Sequence, residues 1–119
     1  KMDDKIRDDF SKIDFASEIF MEEIDTNQSF MDTISILRNI DVLVTIDTSI
    51  AHLAGVMGVK TLLLIGYTSE WRWFDTDDNI WYDSVNIIRM SEQKPLSDLI
   101  PRIKKLLDEY YVTKYACTK

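Results

Sequence analysis

Hydrophobic positions along this chain change period several times. Two apolar runs, Val42–Ile46 and Thr61–Ile65, carry Val, Ile and Leu with no polar alternation. That is the pattern of strands covered on both faces, as in a parallel sheet between layers of helices. The small-residue segment between them is long enough for one crossover helix, which predicts β-α-β with parallel strands and a right-handed connection. A third run, Val85–Met90, predicts another strand. The fold class expected is α/β, a Rossmann-like parallel sheet covered by helices.

The remaining apolar positions follow helical spacing. Ser29 caps a helix to Asn39, with Phe30, Ile34 and Leu37 at i, i+4 and i+7, and Asp41 ends it. In the crossover helix, Ile50, Leu53, Ala54 and Met57 form one stripe, expected to face the sheet. His52 falls nearly opposite, on the side of Thr48 and Gly55, and Gly58 stands where a left-handed residue ends a helix. Asp98 caps the last helix, with Pro101 in its first turn and Leu99, Ile103, Leu106, Leu107 and Tyr110 along its stripe.

Upstream, Ile6 and Phe10 fit a turn or two of amphipathic helix. Phe15, Ile19, Phe20 and Ile24 make a helical stripe, although Ile19–Met21 fits a short strand equally well. Thr26–Ser29 reads as a loop. Residues 1–28 are thus expected to be a helical or irregular segment of the same domain, 29–111 the main lobe, and 112–119 a flexible polar tail.

Composition narrows the function classes. The 119 residues are 45% hydrophobic and 29% charged, which suits one domain burying roughly two-thirds of its unfolded surface. A net charge of −7 with no basic run argues against nucleic acid or an anionic membrane surface as partner. No apolar run approaches the roughly 18 residues of a membrane span. The one cysteine, Cys117, has no partner for an intramolecular disulfide, which points to a reducing, cytoplasmic setting.

Candidate chemistry gathers at Asp47-Thr48-Ser49-Ile50-Ala51-His52. Asp47 or Thr48 can cap the helix with a side-chain oxygen. The helix start lies at the carboxyl end of a parallel strand, where open α/β sheets bind ligands and free N–H groups favour phosphate. His52 reads either as a satisfied structural histidine or as a first-turn residue beside that anion site. One His and one Asp without further ligand spacing do not make a metal site. The loop Gly66–Glu70 reaches the same edge, followed by Trp71-Arg72-Trp73-Phe74, the acidic Asp75–Asp78 and Trp81-Tyr82. As a group, the tryptophans read as packing. The sharper alternative stacks one of them on a base or sugar, with Arg72 near a phosphate.

The string Asp47-Thr48-Ser49-Ile50-Ala51-His52-Leu53-Ala54-Gly55 resembles the Asp-Thr-x-x-x-His-Leu-Ala-Gly motif of heptosyltransferase-like glycosyltransferases. The later pieces Thr61–Ile65, Trp71-Arg72-Trp73, Trp81-Tyr82 and Val85–Arg89 resemble those of the tetratricopeptide-repeat-associated members, in order. The resemblance covers Ser29 to Tyr110. It implies the C-terminal, nucleotide-sugar-binding lobe of a two-lobed GT-B glycosyltransferase that takes a nucleotide diphosphate-sugar as donor, with no metal or other cofactor. By position, the amides of Thr48, Ser49 and Ile50 would hold the diphosphate. Asp47 would meet donor hydroxyls or fix the loop, and His52 would orient the site. Gly66, Tyr67, Trp71 and Arg72 would complete the binding set.

Two departures stand out. Gly66-Tyr67 replaces the Pro frequent after the second strand, and 119 residues are too few for both lobes. The acceptor-binding N-terminal lobe is expected to carry the catalytic base, so no catalytic residue is expected in this chain, and the partner expected is that N-terminal lobe or tetratricopeptide repeats. The alternatives are a non-catalytic nucleotide or nucleotide-sugar binding module, and a structural domain.

Overall fold

The computed structural model describes Asp8, Lys12, Asn27 and residues 30–68, 71–74 and 79–116. The chain divides into two units, Lys1–Thr33 and Ile34–Lys119. In the first, Asp8 and Lys12 form an exposed ion pair of 2.6 Å at i, i+4 spacing. The readings of 13–26, of Ser29 as a cap and of Cys117 lie outside the described residues.

Helix α1 (Met31–Leu37) begins later than the apolar spacing predicts. Phe30 precedes it in a left-handed conformation, φ 66°, and is half exposed instead of joining the stripe. A non-glycine residue at positive φ cannot continue a right-handed helix. The helix ends by tightening, with Asn39 N donating to Ile36 O and Asn39 Nδ2 donating to Ser35 O at 2.7 Å. A side-chain amide thus takes one of the carbonyls a helix end leaves unpaired.

Three strands, β1 (Leu43–Ile46), β2 (Thr61–Ile65) and β3 (Val85–Arg89), form a parallel sheet in the order β1-β2-β3. Leu43 pairs with Thr61 and Thr61 with Val85, and the register continues to Ile46, Leu64 and Ile88. Alternation along the strands builds a core on each face. One holds Leu63, Ile65, Val85 and Ile87 with Ala51 and Trp73; the other holds Leu62, Ile88, Met90 and Leu99. Ile103, Leu106 and Leu107 close the second core from helix α3 (Ile100–Ala116).

β1 departs from the expectation of two covered faces. Val44 and Ile46 are 42% and 50% exposed. β1 is an edge of the described sheet, and the last helix covers the face they share with Leu62 and Ile88 farther along. The run of apolar residues encodes a strand but not its cover; β2, in the centre, is the strand buried on both faces.

Helix α2 (Ser49–Val56) joins β1 to β2. Its buried face consists of Ala51, Ala54 and Gly55, while Ile50, Leu53 and Met57 are only partly covered, so the side toward the sheet is rotated from the predicted stripe. Small side chains let the helix axis approach closely, and proximity buries them more completely than larger neighbours at the flank. Gly58 ends the helix at φ 72°, with Gly58 N donating to Gly55 O and Val59 N to Ala54 O. This is the glycine-based helix end the sequence predicts.

Asp98 lies within a 3-10 turn, Leu96–Leu99, that runs directly into α3, and Pro101 sits in the helix's first turn. α3 continues through Ala116, into the stretch read as a flexible tail. Its last turns have partners: Tyr111 stacks on Tyr115 with centroids 5.8 Å apart, and Lys114 is hydrogen-bonded to Asp41 just before β1. That bond raises the Lys114 pKa above the ordinary lysine value. Among the described residues, no helix is long and apolar enough to cross a membrane.

Candidate functional site

The junction after Ile46 is where the chain leaves the carboxyl end of β1 and enters α2. Thr48 is the residue before the helix, extended at φ −147° and ψ 169°, and its carbonyl accepts from Ala51 N at 3.0 Å. Its hydroxyl makes no capping hydrogen bond. Thr48 Oγ1 is buried and has no partner among the described residues. Asp47 does not cap the helix through its bonded oxygen either: Oδ1 accepts a 2.7 Å hydrogen bond from Trp73 Nε1. The expected cap is therefore corrected on both candidates. Trp73 is fully buried, its indole N–H requires an acceptor, and the carboxylate at the strand end supplies one.

Trp73 organises the rest. It belongs to a 3-10 turn, Trp71–Trp73, that closes at Phe74 with φ 52°. Side chains fasten three successive carbonyls of this turn. Trp81 Nε1 donates to Arg72 O at 2.8 Å, and Arg89 Nη2 donates to Trp73 O at 3.1 Å and Phe74 O at 2.6 Å. Such fastening holds Phe74 in a conformation that is costly for a residue with a Cβ.

His52 lies under this turn. Its ring stacks on Trp73 with centroids 4.7 Å apart at 18°, and meets Tyr82 edge-on at 5.9 Å. His52 Nδ1 and the Tyr82 hydroxyl are 3.2 Å apart. Tyr82 in turn rests on Gly55, where an added Cβ would fall inside contact distance of its ring. The glycine of the His-Leu-Ala-Gly string is therefore occupied space, not an open face. Asn79 holds the backbone of this corner: its Oδ1 accepts from Trp81 N and Tyr82 N, and its Nδ2 donates to Tyr82 O at 3.1 Å and Val85 O at 2.5 Å.

The structure thus joins Asp47 and His52 through Trp73 and leaves the other expected residues around them. Ser49 is exposed and Ile50 partly covered at the helix start. A Cβ at Gly66 would meet open space, and Tyr67 is 59% exposed. Trp71 is 73% exposed, with the Arg72 guanidinium 4.9 Å above its ring. Among the described residues, no hydrogen bond or ring contact connects Tyr67 or Trp71 to Thr48 or His52. Packing holds for Trp73 but not for Trp71, and Trp81, half exposed, stacks on Phe74 at 6.4 Å. The group reading of the tryptophans is corrected accordingly.

Asn79, Tyr82 and Arg89 carry structural roles that spacing alone did not assign. One signal existed for a close neighbour at Gly55, without identifying it as Tyr82: a glycine inside an otherwise good helix costs stability. A cleft of about 620 Å³ opens at the same carboxyl edge, between β3 and α3, lined by Arg89, Ser91, Lys94, Ser97, Asp98 and Arg102 among others. Among the described residues, no group of three or more His, Cys, Asp or Glu could hold a metal ion. No protein-family model, curated protein or solved structure matches this chain.

Proposed function

We propose that this chain is the donor-binding half of a metal-independent glycosyltransferase of the GT-B type. It binds the nucleotide diphosphate-sugar, and a second lobe brings the acceptor and the catalytic base. The observation that carries this reading is the uncapped start of α2. Asp47 Oδ1 is committed to Trp73, and Thr48 Oγ1 is buried without a described partner, so neither oxygen serves the first-turn N–H groups. An anion there gains hydrogen bonds from those groups and the favourable end of the helix dipole. The amides of Thr48, Ser49 and Ile50 hold the diphosphate. Asp47 fixes the loop through Trp73, and His52 orients the site. Gly66 gives room, and Tyr67, Trp71 and Arg72 offer an exposed aromatic and cationic rim for base or sugar.

Calorimetric titration with a panel of nucleoside diphosphates tests the reading. Weak binding is expected, because half of the cleft belongs to the other lobe and small contact area limits affinity. Absence of binding at millimolar concentration removes an independent donor site from this chain.

A second reading, a structural domain, is favoured by one observation: one carboxylate oxygen of Asp47 and one ring nitrogen of His52 are engaged by Trp73 and Tyr82, inside the protein. It predicts that substitutions at the junction change stability and leave nucleotide titrations flat.

A further inference from the structure

We infer that Tyr82 is a positioning residue that locks His52 in a single tautomer. Its hydroxyl donates to Nδ1, and the imidazole proton is carried on Nε2.

The neutral imidazole has one donor and one acceptor nitrogen, and the partner of one nitrogen decides the role of the other. The Tyr82 hydroxyl is that partner, 3.2 Å from Nδ1. A phenolic O–H is a good donor and a poor acceptor, since its lone pair is shared with the ring, whereas an imidazole nitrogen lone pair is a strong acceptor. The pairing O–H to Nδ1 is therefore the better of the two.

Both rings are held where this bond requires them. The His52 ring lies flat against the fully buried Trp73, which Asp47 anchors. The Tyr82 ring fills the space above Gly55, and Asn79 bonds to both its backbone N–H and its carbonyl. The His52 ring thus keeps one N–H, at Nε2, as its only donor. Resting on the donor-binding reading above, that N–H is suited to an anionic oxygen of the nucleotide, and Tyr82 supports binding without touching the ligand.

The chain has one histidine, so a protein labelled with ¹⁵N at histidine gives a single pair of ring-nitrogen resonances. On the alkaline plateau, where the ring-nitrogen shifts no longer change with pH, Nδ1 is expected in the unprotonated range and Nε2 in the protonated range. Tyr82→Phe keeps the ring over Gly55 and removes the hydroxyl. Its two resonances should move toward each other as the tautomers exchange, while the backbone amide spectrum stays that of the parent. A parent protonated at Nδ1, or identical nitrogen shifts in parent and Tyr82→Phe, overturns the inference.

Nucleoside diphosphate titration adds the functional arm. Loss of one well-placed hydrogen bond predicts about five-fold weaker binding by Tyr82→Phe; equal binding by the two proteins overturns the positioning role. A parent with a locked tautomer that binds no nucleotide supports the tautomer assignment and defeats the donor-binding reading instead.

Discussion

The indole of Trp73 donates to Asp47 across 2.7 Å, tying a buried aromatic ring in one loop to the residue that follows β1, two positions before helix α2. Asp47 therefore stabilises the protein as the acceptor for a ring that has no other described hydrogen-bond partner. Asp47→Ala should cost ~1–3 kcal/mol in urea unfolding, the usual penalty for leaving a buried donor unpaired. The cost should shrink sharply when Trp73 is already Phe, giving a coupling of about 1–2 kcal/mol in a double-mutant cycle. Additive losses would return Asp47 to the role of a helix cap.

The contact between Gly55 and Tyr82 makes a second prediction. Alanine is the better helix former by ~1 kcal/mol, but a Cβ at Gly55 overlaps the tyrosine ring, and overpacking of this kind costs ~1–3 kcal/mol. Gly55→Ala should be destabilising in the parent and stabilising in a Tyr82→Ala background. Gly58→Ala meets open space yet forces alanine to φ 72°, a left-handed penalty of ~1–2 kcal/mol, and should show no dependence on Tyr82. Denaturant midpoints of the single and double variants decide both.

Ser49→Pro separates binding from folding. Proline suits the first helical position, and Thr48 before it is already extended, as a residue preceding proline must be. The far-ultraviolet circular dichroism and melting temperature should stay near those of the parent. One N–H disappears from the helix start, so nucleoside diphosphate affinity should fall about five-fold, the loss of one net hydrogen bond. Unchanged affinity would remove the Ser49 amide from the anion site.

Lys114 supplies a prediction in pH. Its pKa is raised chiefly by the hydrogen bond to Asp41; desolvation, the next largest effect, opposes it, and the carboxylate and tyrosine charges nearby add smaller increases. A pKa higher in the folded state means the pair's stabilisation is complete below the unfolded lysine value of 10.5 and is lost as pH rises through the folded value. The melting temperature of the parent should therefore fall more steeply than that of Asp41→Asn between about pH 10 and 12. Because the pair is solvent-accessible, the difference should be small and should diminish in high salt. Parallel curves would show that the pair contributes nothing to folding.

Much of the architecture was legible in the apolar periods. Three runs of β-branched and aliphatic residues gave three parallel strands, and Gly58 marked the end of α2. What periodicity does not carry is the identity of the neighbour. Val44 reads like Leu62, yet only Leu62 has a helix over it. The buried side of α2 went to Ala51 and Ala54, because size decides which residues allow a close approach, and a hydrophobic stripe weights the larger ones. The junction at Asp47 was visible as a place but not as a mechanism. Its partner, Trp73, is distant in the chain, and nothing in the local string distinguishes a capping carboxylate from one that serves a buried indole. Phe30 was misplaced for a related reason: its spacing fits the stripe, but its backbone has already left the helical region.

The ring of Tyr82 standing where Gly55 has no side chain also bears on how this chain can change over generations. The two positions behave as one heritable unit. An alanine at position 55 becomes acceptable only after, or together with, a smaller residue at position 82, whereas position 82 can shrink first at the cost of a void. Descendant lineages should therefore pass through the cavity before the filled helix or acquire both changes together, and alanine at position 55 beside an intact Tyr82 should not persist.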